Sequence, residues 1–233
     1  MDTIPLKNQV AVHHNDIIES SYMMTLNEKR LLLLGISKID SRKKLDKITI
    51  TVTVEEWEEW FPGSNAYRDI KAASESLQTR YVRLHPKTNV TKKVNWVDYS
   101  VYNDGTGKVE IVIGREMEKY LQNLWGDFTK IDLLAVRKMS SVYGVRLYEL
   151  ARKMLFRKRP EEVYSIDDFR FVMNCQDTYP EVKELKRAVI KPALKEINNK
   201  SDLKVSITDL KQGRKITGFL LRIDQSDQLE MFR

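Results

Sequence analysis

The clearest chemistry in this sequence lies along one helical face near its C-terminal end. At 100° per residue from Val182 to Asn198, the side chains of Val182, Leu185, Val189, Ala193 and Ile197 share a stripe. Glu184, Arg187, Lys191, Lys195 and Asn198 share the opposite one. The apolar stripe must pack, which leaves the polar face free to enter a groove. A DNA major groove about 12 Å wide admits such a helix, and Arg, Lys and Asn present the geometry that reads guanine and adenine edges. Arg187 and Asn198 are the base-reading candidates; Lys191 and Lys195 suit phosphate, which fixes register without conveying sequence. Pro192 removes one backbone hydrogen bond within this helix and predicts a kink. Beyond it, Lys211, Arg214 and Lys215 surround Gly213 in a turn where positive charge would meet the backbone beside a groove.

Charge distribution points the same way. The chain of 233 residues carries a net charge of +7. Eleven basic residues against four acidic ones lie between Lys183 and Arg222, so that segment holds the whole formal excess. A second basic knot, Arg152, Lys153, Arg157, Lys158 and Arg159, lies upstream. Concentrated positive charge suits a polyanion, because each neutralised phosphate releases condensed counterions.

Catalytic readings find little support. A phosphate-binding G-x-x-x-x-G-K-[ST] loop is absent: Gly107 and Lys108 are followed by Val109, with Tyr102 where the first glycine belongs. The three histidines, His13, His14 and His85, do not form a His-hydrophobic-His metal pair. Glu55, Glu56, Glu58 and Glu59 surround Trp57 and Trp60 as a charged outer face of a short helix. Cys175 is the single cysteine, which excludes an internal disulfide and predicts a buried thiol. No enzyme activity, cofactor or metal is expected, and no apolar run approaches the roughly 20 residues of a membrane helix. A cytoplasmic location is expected.

The elements that must position these residues can be read in order. Thr25 and Glu28 form a capping box before a helix over 26–39, with a shorter helix capped by Asn15 or Asp16 ahead of it. Ile48, Ile50, Val52 and Val54 alternate with threonines and predict a strand. A helix over 55–61 and another capped by Ser64 or Asn65 and running to Thr79 follow. The latter buries Tyr67, Ile70, Ser74 and Leu77 and exposes Arg68, Ala72, Glu75, Ser76 and Thr79, with Lys71 at its flank and Arg83, Lys87, Lys92 and Lys93 beyond. Strands over 81–84, 96–102 and 109–113, the last two joined by a turn at Asn103–Gly107, complete a winged helix-turn-helix. After a helix over 116–124 the order recurs: a strand over 130–133, a helix over 141–156, a strand over 164–166, a helix capped by Asp167, a helix over 180–198, and strands over 203–208 and 216–223.

Three separated segments resemble one family. "HNDIIESSYMMTLNEKRLLL" (14–33), "YGVRLYELARK" (143–153) and "LKRAVIKPALKEINNKSDLKVSITDLKQGRKITG" (185–218) resemble plasmid replication initiators of the Rep type, which bind repeated origin sequences called iterons. The resemblance implies an α+β fold of two tandem winged-helix domains over 15–125 and 126–224, between a flexible arm (1–14) and a tail (225–233). It places Lys186, Arg187 and Lys191 at the basic reading positions of the second domain, with Lys183 beside them, and Arg68, Lys71 and Ser76 on the first domain's reading helix. It implies monomers on iterons and dimers, formed through the first-domain strands at 96–102 and 109–113, that repress the chain's own promoter at an inverted repeat. It further implies recruitment of host helicase and initiator machinery. A sequence-specific transcriptional regulator without initiator activity is the alternative. Gln228, Leu229, Glu230, Met231 and Phe232 resemble the Q-L-x-L-F peptide that docks on the replication sliding clamp.

Overall fold

The computed structural model describes residues 9–63, 65–84 and 92–224. The chain divides into two compact units between Arg137 and Lys138. In the first, β1 (Val10–His14), α1 (Asn15–Ile18) and α2 (Leu26–Ile36) lead to β2 (Thr49–Thr53), α3 (Val54–Trp60) and α4 (Ala66–Leu77). Then come β3 (Tyr81–Arg83), β4 (Lys93–Asn95), β5 (Val97–Asn103), β6 (Lys108–Ile113), α5 (Arg115–Glu118) and β7 (Phe128–Asp132), and α6 (Leu133–Lys138) carries the chain across the division. Helices α2, α3 and α4 with the antiparallel sheet β2-β6-β5 make a winged helix.

The second unit repeats this plan. Helix α7 (Val142–Phe156), β8 (Glu161–Ser165) and α8 (Ile166–Val172) precede a long helix built of α9 (Val182–Leu185), a π turn (Lys186–Ile190) and α10 (Lys191–Lys200). Strands β9 (Val205–Gln212) and β10 (Lys215–Ile223) form the wing, in a sheet of order β8-β10-β9.

Several local expectations gave way to tertiary structure. The arm over 1–14 contains a strand, since β1 pairs antiparallel with β7 from Val10↔Asp132 to His14↔Phe128. That pairing holds β7 in the first unit, so the division falls after Arg137 and not near Gly126. The helix over 116–124 is only the single turn α5; beyond it Asn123 adopts φ 53°. There the amides of Asn123 and Leu124 donate to the carbonyls of Lys43 and Ser41 at 3.2 and 2.9 Å. Tyr67 is exposed, because Ala66, Ile70, Ala73 and Leu77 supply the buried stripe of α4.

One joint fixes α4 in the first unit. The capping box forms as expected, with the Thr25 amide donating to Glu28 Oε2 at 2.7 Å and the Glu28 amide to Thr25 Oγ1 at 3.2 Å. Glu28 is also fully buried and accepts from Arg80, Nη2 to Oε1 at 3.0 Å and Nε to Oε2 at 3.2 Å, and from the Ser76 hydroxyl. A charge-assisted fork of this kind ties the start of α2 to the end of α4. Arg80→Ala leaves a buried carboxylate without its cation, and chemical denaturation is expected to show a destabilisation of about 3 kcal/mol. A value below about 1 kcal/mol would remove the pair from its central role in this unit.

Candidate nucleic-acid interface

The reading helix of the second unit has a sharply divided surface. Leu185, Val189, Ala193 and Ile197 are fully buried, while Lys183, Arg187, Lys191 and Lys195 are exposed. The charged side-chain groups of these four make no hydrogen bond or ion pair among the described residues, so they face water. Just ahead of Pro192 the helix carries a π turn, in which the Lys191 amide donates to the Lys186 carbonyl, five residues back. Lys186 is half-buried and its Nζ lies 2.6 and 2.8 Å from the Asp209 carboxylate, which joins the reading helix to β9. Asn198, expected to read bases, instead donates Nδ2 to the Val205 carbonyl at 2.9 Å and accepts the Val205 amide on Oδ1 at 2.8 Å. Both ends of its amide hold the helix to the sheet.

The wing supplies the remaining cations. Lys211, Arg214 and Lys215 are exposed around the β9–β10 turn, where Gly213 takes φ +60°, a conformation that side chains resist. They too make no ion pair among the described residues. The upstream basic knot is divided: Lys153 is buried and bonds to Glu162 Oε2 at 2.9 Å and Arg152 pairs with Asp202 at 3.2 Å, while Lys158 and Arg159 are exposed. The "YGVRLYELARK" segment therefore acts in the interior. There Arg146 reaches Glu149 at 2.9 Å and the Val172 carbonyl at 2.7 Å, satisfying a charge that would be costly to bury alone. Cys175 is buried, and burial pushes its thiol up to about 11.

What holds the cationic face in position is a carboxylate on its own helix. Glu196 accepts the Ser140 amide at 2.8 Å, the Ser141 hydroxyl at 2.9 Å and the Lys200 ammonium at 3.0 Å, together with the Ser140 hydroxyl. It thereby caps the start of α7 from outside. A Cβ at Gly144 would stand 2.1 Å from Glu196 Oε2, so glycine leaves room for this carboxylate. Burial would raise the Glu196 carboxyl, but hydrogen bonds from Ser140, Lys200 and Ser141 outweigh it and hold the group below the ordinary carboxylate range.

The first unit presents a more neutral face. Arg68 is exposed but forks to its neighbour Asp69 at 3.0 and 3.1 Å. Lys71 pairs at 3.0 Å with Asp104 in the β5–β6 turn, and that pairing holds its ammonium protonated to higher pH. Ser76 lies in the Glu28 joint, turned away from the surface that sequence periodicity assigned to it. Lys87 and His85 lie outside the described residues. His14, Asp16 and Asp127 bring three ligand-type side chains together, with His14 Nδ1 accepting the Asp16 amide at 3.1 Å as the cap of α1. Among the described residues, no helix is long and apolar enough to cross a membrane.

Two winged-helix units, each with a reading helix and a hairpin wing, match known sequences in order. A family model described as initiator replication protein, WH1, matches residues 10–152, and one described as initiator Rep protein, WH2, matches residues 165–223. The chain belongs to this replication-initiator family. A replication initiation protein of Escherichia coli is 26% identical over 227 residues, covering 93% of this chain and 70% of its own length. The PI protein of Escherichia coli is 25% identical over 241 residues, covering 88% and 79%. The crystal structure of the Pi initiator protein in complex with iteron DNA shares the fold, with a TM-score of 0.79 at 23% identity over 95% of this chain and 99% of that one.

The Glu196 joint carries a pH signature in this initiator. A carboxyl lowered by folding stabilises the folded state fully at pH well above the unfolded value of about 4.3. That contribution disappears as pH falls through the lower folded value. Thermal melts between pH 6 and 3 are expected to show a steeper decline for the parent protein than for Glu196→Gln, and parallel curves would exclude the depressed carboxyl.

Proposed function

We propose that this chain is a plasmid replication initiator that binds iteron repeats at its origin through the reading helix and wing of the second unit. The observation that carries the proposal is the row of Lys183, Arg187, Lys191 and Lys195, exposed and unneutralised beside Lys211, Arg214 and Lys215. A helix so charged stays in water unless phosphates meet it. Arg187 reads base edges, Lys191 and Lys195 grip phosphate, and Arg68 and Lys71 of the first unit add backbone contacts. Family membership and the iteron-bound Pi initiator, which shares the fold, support this reading.

The finer functions of the proposal follow the family resemblance of the sequence. The chain binds iterons as a monomer, represses its own promoter as a dimer on an inverted repeat, and recruits host helicase and initiator machinery. Of the two strands assigned to the dimer, β6 lies between β2 and β5, which leaves β5 as the free edge with Tyr99 and Val101 exposed. The clamp-type peptide, Gln228, Leu229, Met231 and Phe232, lies outside the described residues; it docks on the sliding clamp in this proposal. Leu229→Ala with Phe232→Ala should then abolish retention on immobilised clamp while DNA binding survives.

Footprinting on DNA flanking the gene is the decisive experiment. Protection of tandem direct repeats is expected, whereas protection confined to one inverted repeat would favour a transcriptional regulator. Arg187→Ala with Lys191→Ala should weaken binding to those repeats by at least tenfold, since a good base contact is worth about 1 to 3 kcal/mol of discrimination. Thermal stability should not change, because neither side chain contacts the core. Unchanged affinity of the folded double variant in gel-shift titrations would sink the assignment.

A further inference from the structure

The reading helix carries two rows of residues spaced four apart, one buried and one exposed, which on a regular α-helix would wind slowly around the axis. A four-residue step overshoots one α turn by about 40°, so three steps spread over about 120°. Yet Leu185, Val189, Ala193 and Ile197 are all fully buried, and Lys183, Arg187, Lys191 and Lys195, also four apart, are all exposed. The π turn at Lys186–Ile190 narrows the drift of both rows. Its bond runs from residue i+5 back to residue i, so a four-residue step there falls short of one turn. The shortfall offsets the overshoot on either side.

We propose that Pro192 is a positioning residue: it sets this π turn and thereby brings Lys183, Arg187, Lys191 and Lys195 into one line along the duplex. This inference rests on the DNA-binding reading of that face. Proline has no amide hydrogen to give the Ala188 carbonyl, and its ring would crowd that carbonyl in a regular α turn. Widening the turn removes the conflict, and the Lys191 amide reaches past it to Lys186. The C-terminal half of the helix is pinned by Glu196 on Ser140 and Ser141 and by Asn198 on Val205. The N-terminal half is held as well, by Lys186 on Asp209 and by buried Leu185 and Val189; a return to regular α geometry rotates one half against the other and moves Lys183 and Arg187 out of line with Lys191 and Lys195. Pro192 itself is exposed, so replacing it empties no part of the core.

The test is Pro192→Ala in the full chain, since alanine favours helix and preserves folding. A crystal structure of the variant reads the turn, and titration of a random-sequence 20-bp duplex at several salt concentrations reads the phosphate contacts. Expected are a regular α turn at 186–190, about fivefold weaker binding at moderate salt, and a slope of log K against log salt flatter by about 0.9 for each phosphate that is no longer neutralised. Lys183→Ala should flatten the slope in the parent protein and have no further effect beside Pro192→Ala. A variant that keeps the π turn, or that regains the α turn with an unchanged slope, overturns the inference alone. Salt-independent binding by the parent protein overturns the DNA-binding reading and this inference with it.

Discussion

A carboxylate at the junction of two helices sets the geometry of each unit. In the first, Glu28 near the start of α2 receives Ser76 and Arg80 from the far end of α4. In the second, Glu196 near the end of α10 receives Ser140 and Ser141 at the start of α7. The joint is the same although the acceptor has changed helix: the first helix's N-terminus is bound to the reading helix's C-terminal end. Helix N-termini carry orphan amides and a partial positive charge, so a carboxylate there satisfies donors and gains from the dipole. Arranged this way, the polar chemistry lies behind the reading helix and leaves its outer face unconstrained.

Much of this architecture is local and was legible in the sequence. The threonine-isoleucine alternation ahead of α3, the Thr25–Glu28 box and the glycine at each hairpin turn act through neighbours a few residues away. The same T-x-x-E spacing at Thr53 and Glu56 forms a second capping box that closes β2 and opens α3. What escaped sequence reading depends on partners far along the chain. Asn198 looks like a base reader by type and facing, but Val205 occupies its amide. Ser76 looks exposed by periodicity, but Glu28 lies beside it. Pro192 was legible as a lost backbone hydrogen bond; the π turn beside it was not, because the turn depends on how the buried residues of the whole helix meet the core.

The two units differ in how their cations are balanced. On α4, Arg68 and Lys71 have carboxylates of the same unit close by, and those carboxylates compete with phosphate for their donors. On α9–α10, Lys186 is held by Asp209 and Lys200 by Glu196, while Lys183, Arg187, Lys191 and Lys195 make no ion pair among the described residues. The ion pairs on α4 are largely exposed and are worth little for stability. Their effect falls on binding, because a paired ammonium must release its partner before it can neutralise a phosphate and displace a counterion. Under the proposed function, the same fold serves for modest backbone contact in one unit and for strong electrostatic contact in the other.

Aligning four cations on one helix face has a cost that a polyanion would reverse. Neighbours four residues apart, about 6 Å along the axis, repel by roughly 0.7 kcal/mol in water before salt screening. Spreading the same residues around the helix, as a regular α geometry does, would lessen that repulsion. The π turn acts in the opposite direction, giving up a regular backbone bond to tighten the row. Stability of the isolated helix cannot account for such an arrangement, since both changes oppose it. Phosphates in an array along a duplex reverse the sign of the term, because each faces a cation in turn and the repulsion among cations becomes attraction to the strand. The register of the buried stripe and the register of the exposed row are then one constraint, met by one widened turn.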